Sequence, residues 1–190
     1  MISLTTAPTL NALSQLTGDY TLDASHTRIG FVARHAMVTK VRGAFNELEG
    51  TVHIDEDLSR SSARLAIEVG SIDTRNADRD GHLRTNDFLD ADNHPKITFE
   101  STSVRQLDET TVQVIGDLTI KDVSKPVAID FEYQGFATDP FGNQRVGFEG
   151  AVTVNRKDWG ITWNAALETG GVLVGDKVTL EFEVSAIKNA

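Results

Sequence analysis

Five histidines have the widest choice of chemistry in this chain, because a neutral imidazole can bind a metal ion or move a proton near neutral pH. They are His26, His35, His53, His82 and His94. No His-Glu-x-x-His pattern occurs, and the densest polar group, Arg79, Asp80 and His82, adjoins Arg84 rather than further carboxylates. The spacing therefore predicts no metal site, and the histidines are expected in hydrogen-bonded structural networks.

Asp80 and His82 also form the pair best suited to general acid–base catalysis, but closeness in sequence does not establish contact or a substrate position. The chain has no Gly-x-Ser-x-Gly elbow, phosphate-binding loop or dinucleotide fingerprint. It also has no cysteine, which excludes disulfides and a thiolate nucleophile. The sequence thus predicts no catalytic residue and no cofactor.

Two pairs of cations could hold an anionic group. Arg75 and Arg79 are four residues apart and would share a helix face, while Arg156 and Lys157 follow the end of a strand. Either pair could neutralise a diphosphate through charge-assisted hydrogen bonds; the competing interpretation is solvation or pairing with neighbouring aspartates. Nucleic acid is not an expected partner, because 18 Lys and Arg against 28 Asp and Glu give a net charge of −10.

The elements that position these residues are mostly strands. Ile29, Phe31 and Ala33 alternate with Arg28 and Arg34, and the same period of two recurs along the chain in about eight or nine segments. One apolar and one polar face per strand predict antiparallel pairing, and closure into a barrel removes exposed edges. The one strong helix candidate is 73–90, with Asp73 or Thr74 as its N-cap.

Four glycines fall in the inward register of these strands: Gly43, Gly116, Gly135 and Gly150. A barrel of about eight strands either fills with side chains or holds a small ligand, so missing side chains predict a hollow interior. Gly116→Leu is then expected to occupy ligand volume while leaving the fold largely formed. The alternative, that these glycines only let the strands bulge and coil, stays open.

A series of motifs then identifies a family. In order they are DASHTRIGFVARH at 23–35, SID at 71–73, RDGHL at 79–83, DF at 87–88, HPKITFES at 94–101, GDLTIKDVSKPV at 116–127 and VNRKDWGI at 154–161. From about Tyr20 to Ala186 the chain resembles the YceI-like family. The resemblance implies an all-β fold, an extended antiparallel eight-stranded barrel of lipocalin-like shape with a helix near one end. It also implies a binding protein, not an enzyme, that holds a polyisoprenoid or similar long-chain amphiphile inside the barrel.

The expected function is therefore lipid transport, storage or sequestration. Strand parity selects nine residues to contact the ligand tail: Ile29, Phe31, Phe99, Leu118, Phe131, Tyr133, Phe148, Val152 and Phe182. The head-group candidates are Arg79, His82 and Arg156. Two alternatives remain: an enzyme that acts on an isoprenoid or lipid-like substrate through Asp80 and His82, and a packed barrel that serves as an interaction module.

Residues 1–18 lie outside the resemblance and are expected to form an N-terminal extension, with a short amphipathic helix from Pro8 to Leu16 that uses Leu10 and Leu13. Residues 19–190 then form a single domain. A basic head followed by an apolar stretch is missing, so a cytoplasmic location is expected, although many relatives are exported. The sequence contains no run of about 18 apolar residues, so stable membrane insertion is not expected. The oligomeric state stays open, with a homodimer as one option.

Overall fold

The computed structural model describes residues 12–190. Eleven strand segments carry most of this chain. They are β1 (Gly18–Leu22), β2 (Arg28–His35), β3 (Thr39–Phe45), β4 (Leu48–Ile54), β5 (Ser62–Glu68), β6 (Ile72–Asp73), β7 (Lys96–Gln106), β8 (Thr111–Ile120), β9 (Val123–Thr138), β10 (Gln144–Asn155) and β11 (Val174–Lys188). The period of two in the sequence appears as alternating burial along them, for instance in β7 and β8.

The strands form a closed antiparallel barrel of eight strands. Neighbours follow the order β1, β4, β5, β7, β8, β9, β10 and β11, and β11 returns to β1 where Lys188 pairs with Tyr20. β2 pairs with the earlier part of β11, so β1 and β2 share one side of that strand. The hairpin of β2 and β3 extends the wall, and β6 adds to β3. The predicted all-β barrel is confirmed.

Helical structure is shorter than the sequence indicated. The predicted helix over 73–90 is wrong in its bounds, because α1 spans only Ala77–Leu83. Its N-cap is Asn76, whose side chain accepts a hydrogen bond from the Arg79 backbone N–H. Asp73 and Thr74 do not cap it: Asp73 ends β6, and Thr74 donates to Asp80. No helix within residues 12–190 has the length and apolar character needed to cross a bilayer.

The two ends of the barrel are built differently. At the end where β10 stops and β11 starts, called the tryptophan end below, Trp159 is buried and its indole Nε1–H donates to the Leu118 carbonyl at 2.9 Å. Trp163 packs edge-on against His82 of α1 at a centroid distance of 4.7 Å. Buried Ile161 completes the packing. Side chains therefore close this end.

The opposite end, where β1 begins and β11 stops, is called the N-terminal end. A 3-10 helix, Ala12–Leu16, lies there, followed directly by β1. Leu13 and Leu16 are buried, and the hydroxyl of buried Tyr20 donates to the Leu16 carbonyl at 2.8 Å. Two parts of the predicted N-terminal helix, its start at Pro8 and the contact of Leu10, lie outside the described residues.

Candidate functional site: the barrel cavity

A cavity of about 120 Å³ lies inside the barrel toward its N-terminal end. Its lining is apolar except for Ser61, Ser62 and Arg64. The apolar lining residues are Leu13, Leu16, Leu22, Ile29, Val52, Ile54, Leu58, Ala63, Leu65, Phe99, Val104, Val112, Val114, Ile129, Phe131, Phe148, Phe182 and Val184. Such a surface is suited to an apolar group and offers water few partners.

Five of the nine residues selected as tail contacts line this cavity. They are Ile29, Phe99, Phe131, Phe148 and Phe182. The aromatic rings pack on one another, with the Phe131 and Phe182 centroids 5.8 Å apart. This is the part of the site that strand parity located, because inward-facing residues on different strands converge on one interior. Their contact with a ligand stays a prediction.

The other four tail candidates pack elsewhere in the interior. Leu118 is buried beneath Trp159, and Val152 pairs with Leu180 toward the tryptophan end. The Phe31 ring contacts Phe45 at a centroid distance of 5.9 Å. The last of them is Tyr133, whose ring lies 5.7 Å from that of Phe148. Parity assigned each of them to the inside, but it does not report depth along the barrel axis.

Three of the inward glycines do not leave the space that the sequence suggested. A Cβ at Gly43 would collide with the Phe31 ring, and one at Gly116 would lie 2.5 Å from the Phe99 ring. At Gly150 the Phe131 ring and the Asp130 carbonyl occupy the same position, at 2.9 and 2.8 Å. Each missing side chain is therefore replaced by a neighbouring aromatic ring, so these glycines allow ring packing instead of opening a hole.

The expectation that Gly116→Leu would leave the fold largely formed stays a prediction, and the packing around Gly116 argues against it. The added side chain would begin 2.6 Å from the backbone carbonyl of Glu100, which cannot move without shifting β7. Gly135 differs from the other three: its φ is +131°, no atom lies near its Cβ position, and β10 shifts register beside it at Gly147. That glycine belongs to a bulge, as the alternative interpretation expected.

The polar part of the lining comes from one short segment, 61–64. β5 pairs with β7 only from Arg64 onward, where Arg64 lies opposite Glu100. Closer to the N-terminal end, β7 continues without that partner, and the Ser101 hydroxyl accepts a hydrogen bond from the Ala63 N–H at 2.8 Å. Ser62 and Arg64 are exposed and alternate with Ala63 and Leu65, so this segment places polar residues at the rim of the cavity. The sequence did not predict this segment, because a break in the pairing of two strands produces no periodic pattern of apolar residues.

The three head-group candidates lie at the tryptophan end, outside the lining. The Arg79 guanidinium donates to the Thr74 hydroxyl and carbonyl at 2.8 and 2.7 Å. Arg156 is 5% exposed and donates to three backbone carbonyls, those of Ile161, Val174 and Gly175. Burial lowers the pKa of Arg156. Both guanidinium groups thus stabilise the local backbone.

His82, the third candidate, takes part in an aromatic cluster. Its Nε2 lies 2.8 Å from an Asp87 carboxylate oxygen, and its ring stacks edge-on against Phe88 and Trp163. Asp80 accepts from the Thr74 N–H and hydroxyl instead, at 2.8 and 2.6 Å. No hydrogen bond in the described part of the chain joins Asp80 to His82. The proposed acid–base pair thus belongs to two separate networks.

Three of the remaining histidines pair with carboxylates. His26 Nδ1 lies 2.8 Å from Asp23, and His53 Nδ1 lies 2.6 Å from Asp19. The hydrogen bond to Asp19 is the main reason that the pKa of His53 is raised. His94 lies near Asp90 and Asp122, and His35 is exposed at the end of β2. Across residues 12–190, no group of three or more His, Cys, Asp or Glu side chains is arranged to hold a metal ion.

An ion-pair network ties the N-terminal end together. The Arg145 guanidinium donates to Asp23 at 2.6 Å and to Asp139 at 2.7 Å, which joins the turn after β1 to the hairpin of β9 and β10. These hydrogen bonds are the largest cause that lowers the pKa of Asp139 to about 2 and the pKa of Asp23 further. Both carboxylates are therefore ionised throughout the ordinary pH range.

Comparison with known proteins agrees with this architecture. The family model of the YceI-like domain matches residues 20–186. The chain belongs to the YceI-like family. A UPF0312 protein of Staphylococcus aureus is 41% identical over 170 residues, which cover 88% of this chain and 95% of that protein.

Two solved structures show the same barrel. BcnA of Burkholderia cenocepacia superposes with a TM-score of 0.76 at 22% identity, covering 86% of this chain and 98% of that one. A polyisoprenoid binding domain from Saccharophagus degradans, implicated in plant cell wall breakdown, gives 0.70 at 15% identity, covering 90% and 98%. At these identities both likenesses establish the fold. The 3-10 helix Ala12–Leu16 lies before the part that matches the YceI-like domain.

Proposed function

We propose that this YceI-like protein binds a polyisoprenoid or similar long-chain amphiphile in the barrel cavity, for transport, storage or sequestration. The observation that carries the proposal is the cavity itself, which is apolar at all but three lining positions, all three on the segment 61–64. The tail would enter the apolar interior, and the head group would stay at this polar segment. The polyisoprenoid binding domain of Saccharophagus degradans, which shares the fold, supports this choice of ligand class.

Hydrophobic transfer provides the driving force. Removal of apolar surface from water is worth roughly 25 cal/mol per Å², so a prenyl or acyl tail gains affinity with each carbon that it buries. Four phenylalanines contribute to the wall: Phe99, Phe131, Phe148 and Phe182. We propose binding without bond chemistry, because the cavity lining contains no acid–base pair. Asp80 and His82, which the rival enzyme would use, lie outside it and hold separate partners.

The rival packed barrel makes a different prediction, namely that nothing enters the interior. Gentle native mass spectrometry of purified protein, followed by organic extraction, tests for a retained amphiphile. Recovery of unchanged lipid in stoichiometric amount would support a carrier, while turnover of an added lipid that His82→Ala abolishes would support the enzyme. The cytoplasmic location and the homodimer stay predictions.

A matched pair of variants tests the site itself. Ala63 lines the cavity, whereas Ala66 lies three residues along β5 on the opposite face of the sheet. Ala63→Leu adds three carbon atoms to a space of about 120 Å³ and should abolish most uptake of a prenyl alcohol such as geranylgeraniol. Ala66→Leu makes the same change outside the cavity and should bind as the unaltered protein does. Equal uptake by the two folded variants would refute this site.

A further inference from the structure

Part of the cavity wall comes from segments outside the strands, and one of them is the 3-10 helix before β1. Leu13 and Leu16 line the cavity, are only 1% and 3% exposed, and belong to the 3-10 helix Ala12–Leu16. The match to the YceI-like domain begins at residue 20, after this helix. The N-terminal end of the cavity is therefore lined in part by a segment that the match to the family domain does not include.

This segment takes no part in the strand pairings of the barrel. The strand ladder begins after it, where Gly18 pairs with Ile54. The helix spans five residues, and short 3-10 helices have poor hydrogen-bond geometry and little stability of their own. The contacts that hold it include the burial of its two leucines and the hydrogen bond from the Tyr20 hydroxyl to the Leu16 carbonyl. By contrast, movement of any barrel strand would break a ladder of backbone hydrogen bonds.

The volume of the cavity limits the size of a ligand that fits while this segment is in place. An engineered apolar cavity of roughly 150 Å³ binds one benzene molecule, whereas this cavity measures about 120 Å³. A long tail therefore needs more space than the barrel offers while Leu13 and Leu16 are seated. The 3-10 helix Ala12–Leu16 is a wall that could yield this space without breaking a strand pairing.

We propose that Leu13 and Leu16 form a displaceable plug, which occupies part of the tail site and withdraws when a long amphiphile enters. The inference rests on the proposed function, because it presupposes a ligand in the barrel. A ligand short enough for the existing space binds with the plug in place, while a longer tail must replace the two leucines. The plug thus competes with the ligand and sets a threshold of tail length.

The first test removes the apolar grip of the plug in the full chain. Leu13→Ser combined with Leu16→Ser should bind geranylgeraniol about tenfold more tightly or better, since burial of a single leucine is worth roughly that factor in an equilibrium constant. Leu107→Ser is the matched control, because Leu107 is 42% exposed and lies outside the cavity lining. Circular dichroism verifies that each variant is folded. Unchanged or weaker binding by the double variant would overturn the plug.

The second test follows the plug directly. The chain has no cysteine, so Leu16→Cys introduces a single thiol at a buried position. Its reaction with a maleimide should be slow in the free protein and at least several-fold faster with saturating geranylgeraniol. Leu107→Cys, the exposed control, should react rapidly in both states.

The outcomes separate the two proposals. A Leu16→Cys thiol that stays protected while geranylgeraniol binds means that the segment is a fixed wall, and the plug is refuted although lipid binding stands. If neither the unaltered protein nor the Leu13→Ser, Leu16→Ser variant binds farnesol, geranylgeraniol or solanesol, the proposed function fails and the plug fails with it.

Discussion

Gly116→Ala gives the sharpest test of how the interior is packed. The new methyl group would lie 2.5 Å from Phe99 Cζ and 2.6 Å from the Glu100 carbonyl oxygen, both well inside normal contact distance. The ring can tilt, but the carbonyl is fixed in the ladder between β7 and β8. Overpacking of this kind costs about 1–3 kcal/mol, which exceeds the roughly 0.4–1 kcal/mol that Gly→Ala gains by restricting the unfolded chain.

The net loss of unfolding free energy should be about 1–2 kcal/mol, which lowers the Tm of a domain of this size by roughly 2–8 °C. Thermal denaturation followed by far-ultraviolet circular dichroism measures the shift. Gly147→Ala is the control, because its Cβ would meet Gln134 Cβ at 3.4 Å, an ordinary contact. Its Tm should change little. Equal Tm values for the two variants would refute the inference that the Phe99 ring fills the space at Gly116.

A double-mutant cycle separates the ring from the carbonyl. Phe99→Leu removes the ring, so Gly116→Ala should cost less stability in that background, and the difference gives the coupling energy of the pair. The same cost in both backgrounds would place all of the strain on the Glu100 carbonyl. Because Phe99 also lines the cavity, Gly116→Ala should push its ring inward and reduce the uptake of geranylgeraniol.

Two further predictions concern stability alone. The pKa of Asp139 is lowered from 3.8 to about 2, so the stability it contributes is present above about pH 4 and is lost as the pH falls toward 2. Arg145→Met should therefore lower the Tm at neutral pH and have a smaller effect near pH 2, where Asp139 is losing its charge while Asp23, whose pKa lies lower, still pairs with Arg145. Exposed Arg105→Met should have little effect at either pH. A loss of Tm that does not depend on pH would show that packing, not charge, is responsible. Gly81→Ala, in the middle of α1 with open space at its Cβ position, should raise the free energy of unfolding by about 0.5–1 kcal/mol, as measured by urea denaturation, and a lower value would contradict the helical role of this residue.

The sequence alone determined the sidedness of the strands, and with it the class of fold. Alternation of apolar and polar residues states which face of each strand is buried, and an antiparallel barrel follows because it buries every apolar face and leaves no long edge. The same pattern placed Ile29, Phe99, Phe131, Phe148 and Phe182 inside. The ordered motifs from residue 23 to residue 161 identified the family.

Only the tertiary structure decided where the interior is empty. Whether an inward glycine leaves a void depends on rings from neighbouring strands, and Phe31, Phe99 and Phe131 lie over Gly43, Gly116 and Gly150. The sequence pattern also did not predict the bounds of α1. Thr74 donates a hydrogen bond to the carboxylate of Asp80, and Asn76 caps the helix instead.

The alternation of apolar and polar residues also did not predict how the two ends of the barrel are built. Arg156 was expected near a head group, but its guanidinium donates hydrogen bonds to three backbone carbonyls at the closed tryptophan end. The cavity, its polar segment 61–64 and the plug of Leu13 and Leu16 lie toward the N-terminal end. The alternation of residues along a strand indicates only whether a side chain faces the inside or the outside of the barrel. The position of a side chain along the barrel axis depends on the stagger between strands and on which segments fold over each end. Both are determined by the tertiary structure.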